Sequence, residues 1–269
     1  MNIPGAFLYT PILGAGESIP MPATYFEDFV VGGSATATGP KFSSTADAAQ
    51  WLTTLVTSAI PLVEDNANFK AVQPFGAGGV IRIVNAGTNN DSVSMQLNGE
   101  PFVIVREKPL YFEVRLATSA IAGTLLFVGL ADTDTTLLPA GGQTLGVTDA
   151  IGFTIRGTSG LILPIVKGAG TVDSATGETL PTVTGAPALV NNTWSVLRFE
   201  VLPTDATNHR VNFYVDGVKV AQHTSQTAAL PLGAHATTPI GLTPSYTQKT
   251  QGSAANNGFI DYIFCSQMR

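Results

Sequence analysis

Charge is the scarcest feature of this sequence. Only 12% of its 269 residues are Asp, Glu, Lys or Arg, about half the usual share of roughly 25%. Soluble monomers carry more charge, so this surface is either covered by neighbours or neutral in its chemistry. The net charge of −6 excludes a nucleic-acid backbone as an expected partner. Cysteine is nearly absent. Cys265 stands alone, so no disulfide can form within the chain. No run approaches the roughly 18 apolar residues of a transmembrane helix, so no membrane partner is expected. The opening MNIPGAFLYTP lacks the basic start and continuous apolar stretch of a signal peptide, so the expectation is synthesis in cytoplasm.

Catalytic signatures are missing as well. His209, His223 and His235 have no metal-ligand spacing. There is no G-x-x-x-x-G-K-[ST] phosphate loop and no G-x-S-x-G elbow. The glycine run at 76–79 reads as a turn.

What is present is alternation. In 108–132, Leu110, Phe112, Val114 and Leu116 fall on one face, and Tyr111, Glu113 and Arg115 on the other, the pattern of a half-buried strand. Small residues at 117–123 turn the chain, and 124–131 returns almost wholly apolar, as a strand buried on both faces. The pair reads as a hairpin. Further strands are expected at 25–31, 46–60, 79–86, 92–97, 102–106, 194–202 and 258–265, with a short helix before Trp51 as an alternative. Two more hairpins are expected, 150–167 through GTSG and 210–222 through Asp216-Gly217, and Asn98-Gly99 marks another turn. Pro231, Pro239 and Pro244 argue against a central strand there. About a dozen strands with turn signals between them predict an all-β sandwich or barrel.

Residues 1–23 contain Pro4, Pro11, Pro20 and Pro22 among Ile3, Phe7, Leu8, Tyr9, Ile12 and Leu13. Proline blocks helix, so the segment is an extended N-terminal arm. Its apolar residues either cover the domain's own core or contact a neighbouring subunit.

The Trp194 strand followed by F-Y-V-D-G-V-K-V at 213–220 resembles the concanavalin A-like jelly roll of legume lectins, laminin G-like modules and family-16 glucanases. That resemblance implies a β-sandwich of two antiparallel sheets over 24–269, with the last strand paired to an early one. N-G-E-P-F at 98–102, K-P-L-Y-F-E-V-R-L at 108–116 and F-V-G-L-A-D-T-D at 127–134 together resemble virion structural proteins of tailed bacteriophages, in particular capsid decoration or cement proteins. This narrower resemblance implies a non-enzymatic structural protein on the virion's capsid surface. It would be a homo-oligomer, often a trimer, bound to the major capsid protein where capsomers meet. The alternative is a carbohydrate-binding, lectin-like module on a virion spike or adhesin, with a glycan as partner.

Retaining glycosidases need two carboxyls about 5 Å apart. The strand at 111–116 offers Glu113 alone, with Glu200 or Asp261 as a second acid only if the fold brings them close. Arg115 reads as a salt-bridge partner. Asp132 and Asp134, after a strand end, form the one cluster that would suit calcium, an ion that takes six to eight oxygens. A solvated turn is the plain alternative. Asn89, Asn90 and Asp91 form a similar polar loop. No other cofactor is expected. Trp51 and Trp194 are read as packing residues before sugar-stacking ones.

Overall fold

The computed structural model describes residues 23–27, 42–43, 51–56, 69–72, 80–85, 88–104, 108–139, 145–155, 159–168, 178–179, 182–183, 187–204, 208–226, 241–252 and 256–267. The arm residues Ile3, Phe7, Leu8, Tyr9, Ile12 and Leu13, the glycine run at 76–79, the segment before Trp51, Pro231, Pro239 and His235 lie outside them.

Every regular element among the described residues is a strand. The first six are β1 (Ala23–Glu27), β2 (Phe42–Ser43), β3 (Trp51–Val56), β4 (Phe69–Val72), β5 (Val80–Val84) and β6 (Ser92–Leu97). Next come β7 (Phe102–Val103), β8 (Leu110–Thr118), β9 (Thr124–Ala131), β10 (Ala150–Ile155), β11 (Ile162–Lys167) and β12 (Glu178–Thr179). The last are β13 (Thr182–Val183), β14 (Ser195–Pro203), β15 (Asn208–Val215), β16 (Val218–Gln226), β17 (Gly241–Thr250) and β18 (Asn257–Gln267).

They build two sheets. The first runs β13-β16-β15-β14-β8-β18-β5-β4, with β1 also paired to β18. The second runs β12-β11-β10-β9-β17-β6-β3-β2, with β7 also paired to β17. Among the described residues only β2 and β3 pair in parallel. The closing strand meets β1 and β5, as the jelly-roll resemblance implies. The core lies between the sheets: Phe112, Val114, Leu197, Phe199 and Phe213 from the first meet Leu126, Val128, Ile151, Phe153 and Tyr246 from the second.

Three sequence expectations need correction. Strands β8 and β9 are not a hairpin. Both edges of β8 are taken by β14 and β18, and both edges of β9 by β10 and β17. The link between them crosses from one sheet to the other. Their compositions explain this: β8 alternates and keeps one face open, whereas β9 is buried at every position.

Asn98-Gly99 does not reverse the chain either. Both β6 and β7 run antiparallel to β17, at successive registers along it. The polar stretch between them is an interruption in one line of pairing, and the Glu100 carboxylate there accepts the Thr133 N–H at 2.9 Å. Finally, Pro244 does lie in a central strand, β17. It sits between Ser245, paired with β6, and Leu242, paired with β7. A residue without an N–H is tolerated where a strand changes partner.

The hairpins at β10–β11 and β15–β16 form as expected. At the second, Asp216 and Gly217 take φ values of 50° and 81°, the left-handed pair of a type I′ turn.

The second sheet's outward face is sealed. Leu137, Leu138, Leu145 and Val147 from the 132–149 connection pack on Leu125, Phe127, Ala131, Ala150 and Ile165. Lys249 Nζ donates to the Pro139 carbonyl and Lys167 Nζ to that of Leu145, which ties the flap down at two places. Beneath it Gly129 and Gly152 face one another across β9 and β10. A Cβ on Gly152 would stand 2.3 Å from the Val128 carbonyl oxygen. Gly152→Val should therefore cost about 3 kcal/mol, the upper part of the overpacking range, read as a lowered urea midpoint. A variant within about 0.5 kcal/mol of the parent would mean the strands can part here.

Candidate functional site

With the second sheet covered, the outward face of the first is the more open one among the described residues. Its outward positions on β8 and β14 are half-buried, whereas β6, β9 and β10 are buried throughout. Register places the outward side chains of four adjoining strands in rows. Phe264, Glu113, Arg198 and Tyr214 form one row; Ser266, Tyr111, Glu200 and Asn212 form the next. Arg115 and Tyr262 stand in the row before them.

Each glutamate is gripped by neighbours. Tyr111 OH and Tyr262 OH both donate to the Glu113 carboxylate, the latter at 2.7 Å. Tyr214 OH and Asn212 Nδ2 donate to Glu200 Oε1 at 2.5 and 2.9 Å. Burial raises the pKa of the Tyr111, Tyr214 and Tyr262 hydroxyls, and the adjacent glutamates raise it further. The phenols therefore stay protonated donors.

The arginines lie flat on rings. Arg198 Cζ sits 4.0 Å above the Tyr214 ring and 5.8 Å from that of Tyr111. Arg115 Cζ is 5.0 Å above Trp194, and its Nη1 pairs with Asp261 Oδ2 at 2.7 Å. The result is a platform of rings, guanidinium planes and carboxylates, with donors and acceptors interleaved. Such a surface stacks on apolar ring faces and hydrogen-bonds to hydroxyl groups around them.

The structure separates the residues that the sequence marked. Arg115 is a salt-bridge partner as expected, and its partner is Asp261. Trp51 is fully buried in the core, whereas Trp194 lies at the platform's rim under Arg115. Asp132 and Asp134 follow β9 and begin the 132–149 connection. Asp132 accepts the Thr148 and Asp149 N–H groups, and Asp134 that of Thr136. Burial moves the Asp132 carboxyl upward. Sequence reasoning missed Arg198, Asn212, Tyr214 and Tyr262 as a group. Their signal is shared parity in LRFEV, VNFYV and DYIF, which becomes meaningful only once the strand order is known.

No family model matches the chain, and no curated protein is similar to it in sequence. Solved structures are similar to it in fold. An endo-1,3-β-glucanase from Streptomyces sioyaensis superposes with a TM-score of 0.56 at 12% identity, covering 95% of this chain and 99% of its own. The chain has the concanavalin A-like jelly-roll fold. A β-1,3-glucanase from Mycobacterium marinum gives 0.52 at 14% identity over 90% of this jelly roll and 97% of its own chain. The Emp47p carbohydrate recognition domain gives 0.51 at 12% identity over 94% and 98%. Nothing in these comparisons points to a virion protein.

Proposed function

We propose that this jelly roll is a non-enzymatic carbohydrate-binding module whose binding face is the outward face of the first sheet. One observation carries the reading: Trp194, Tyr111 and Tyr214 lie on a single open sheet face among Arg115, Arg198, Glu113, Glu200 and Asn212. Sugar rings offer an apolar face for stacking and hydroxyls for planar polar groups, and this face matches both needs. The fold is shared with a domain named for carbohydrate recognition and with glucanases, which adds support. Hydrolysis is the weaker use of the same face. Glu113 and Glu200 are each tied into hydrogen bonds from the platform's own tyrosines, whereas glycoside hydrolysis needs both carboxyls turned to the scissile bond.

The test is a glycan array followed by calorimetric titration of the best ligand. Trp194→Ala and Arg198→Ala should each weaken binding at least about tenfold, the equivalent of roughly 1.4 kcal/mol. Failure of the parent protein to bind any arrayed glycan, or undiminished binding by both variants, would sink the proposal.

A second reading is favoured by the 12% charged composition. In it the chain is a decoration protein on a tailed-phage capsid, a homotrimer bound where capsomers meet, with the same face covered by a neighbour. Solution mass by light scattering separates the two. A stable trimer that binds capsids and no glycan favours decoration, and a glycan-binding monomer favours the first reading.

A further inference from the structure

The chain as a whole is acidic, with 19 Asp and Glu against 13 Lys and Arg. The outward face of the first sheet reverses that balance. Among the described strand positions its carboxylates are Glu113 on β8, Glu200 on β14 and Asp261 on β18. Five cations share the face with them. Arg115 and Arg198 belong to the platform already described. Arg210 stands opposite Leu202, with the parity of Asn212 and Tyr214. Lys219 stands opposite Tyr214. Arg82 stands opposite Phe259, itself opposite Ala117, with the parity of Glu113 and Arg115. Asp216 lies in the β15–β16 turn at the edge, where its carboxylate accepts the Val196 N–H at 2.7 Å.

The carboxylates are engaged within the face, and most of the cations are not. Glu113 accepts from Tyr111 and Tyr262, Glu200 from Tyr214 and Asn212, and Asp261 from Arg115. Arg198 stands directly opposite Glu113 across β14 and β8, a placement in which opposite charges ordinarily pair. Here the Glu113 oxygens take the two tyrosine hydroxyls, and Arg198 lies over the Tyr214 ring. Among the described residues the one ion pair is Arg115–Asp261, so Arg82, Arg198, Arg210 and Lys219 have no carboxylate partner there. Stacking holds the Arg198 guanidinium flat, and a held guanidinium is a fork suited to carboxylate or sulfate oxygens. The arginines also form a line. Arg210, Arg198, Arg115 and Arg82 step diagonally over β15, β14, β8 and β5. With strands about 4.8 Å apart and same-face residues about 6.8 Å apart, the steps are roughly 8 to 14 Å.

We propose that the glycan taken by this face is acidic, with carboxylate or sulfate groups read by the diagonal of arginines and Arg198 as its central anchor. The inference rests on the glycan reading and narrows it. Sugar hydroxyls would meet Glu113, Glu200 and Asn212, and acid groups would meet the guanidiniums that those carboxylates leave unpaired. The net charge of −6 does not oppose this. At physiological salt a charge is felt over about 8 Å, so a bound chain senses the face on which it lies. A DNA duplex fits less well, because its stiffness over about 150 base pairs carries it past the face to the acidic remainder of the molecule.

The test is a glycan array scored in matched pairs that differ in charge alone, at low and high KCl. Oligogalacturonates are set against their methyl esters, and sulfated galactans against unsulfated ones. The best pair is then titrated by calorimetry with the full-length protein. The acidic member should bind at least about tenfold tighter at low salt, and high salt should remove most of the difference. Preference within the first pair assigns the anion as carboxylate, and within the second as sulfate. Replacing Arg82 and Arg210 together by Gln should weaken binding of the acidic member about tenfold. Glu200→Gln, which removes a negative charge, should tighten it about threefold, a gain that misfolding cannot mimic. A neutral member bound as tightly as its acidic counterpart would overturn the proposal and leave the glycan reading standing. Duplex DNA bound as tightly as the best acidic glycan would overturn it in favour of an unselective polyanion surface. Binding of no glycan, neutral or acidic, would sink the glycan reading and this inference with it.

Discussion

Phe199→Ala should lower the melting temperature by about 10 °C. Phe199 is fully buried on β14, where its ring stacks on Phe112 at 5.0 Å and leans on Phe213 at 6.0 Å. It also meets Phe153, 6.5 Å away on the opposite sheet. The ring thus belongs to the contact between sheets as well as to that within one. Removing a buried phenylalanine costs about 3–5 kcal/mol, through lost transfer energy and the cavity left behind. For a chain of this size each kcal/mol moves the melting point about 2–4 °C. Phe199→Leu, which refills most of the volume, should recover more than half of the loss. Calorimetry and urea titration would measure both variants. A fall of under about 3 °C for the alanine variant would mean that the aromatic cluster does not hold the sheets together.

Alkaline pH should unfold the protein in one cooperative step. Burial raises the pKa of Tyr111, Tyr214, Tyr246 and Tyr262, and the glutamates bonded to Tyr111, Tyr214 and Tyr262 add to the effect. The sign follows from linkage. The unfolded chain gives up these protons near pH 10, while the folded chain keeps them. Above about pH 10 the folded state therefore binds more protons, and stability falls as pH rises; below it these groups contribute no pH dependence. Each fully buried phenol can contribute up to about 1.4 kcal/mol per pH unit. Tyr246, 1% exposed, approaches that limit, and the three on the platform contribute less because water screens them. Tyrosinate absorbance and circular dichroism should change together, and Tyr246→Phe should make the loss of stability with pH less steep. Gradual tyrosinate formation from about pH 10 in a protein that keeps its sheets would contradict the buried-phenol account.

Much of the fold was legible. Leu110, Phe112, Val114 and Leu116 face the core while Tyr111, Glu113 and Arg115 face outward, as period-2 alternation requires. The left-handed Asp216-Gly217 pair marked a true hairpin, because few other residues take that turn at low cost. The expected disposition of β18 against β1 and β5 also holds. What misled was local adjacency. The 108–131 stretch has the look of a hairpin, yet its arms belong to different sheets. Strand β17 escaped notice because L-T-P-S-Y-T-Q-K-T has neither apolar alternation nor freedom from proline. Its Thr243, Ser245 and Thr247 are buried and hydrogen-bonded to β6 or to one another's backbone, a kind of burial that hydropathy does not register.

The sequence by itself determined that the chain is all-β and which parity of the alternating strands, β8 and β14 among them, turns inward, because both depend on properties repeated every second residue. Only the tertiary structure decided which strands are neighbours, and strand order is what turns scattered residues into a site. Glu113, Arg198, Tyr214 and Phe264 lie far apart along the chain and stand side by side across four strands. Arg82 joins the same face only when the first half of the chain meets its end. Pairing energies are spread over backbone bonds that every residue offers alike, so the choice of partner belongs to the packed core as a whole.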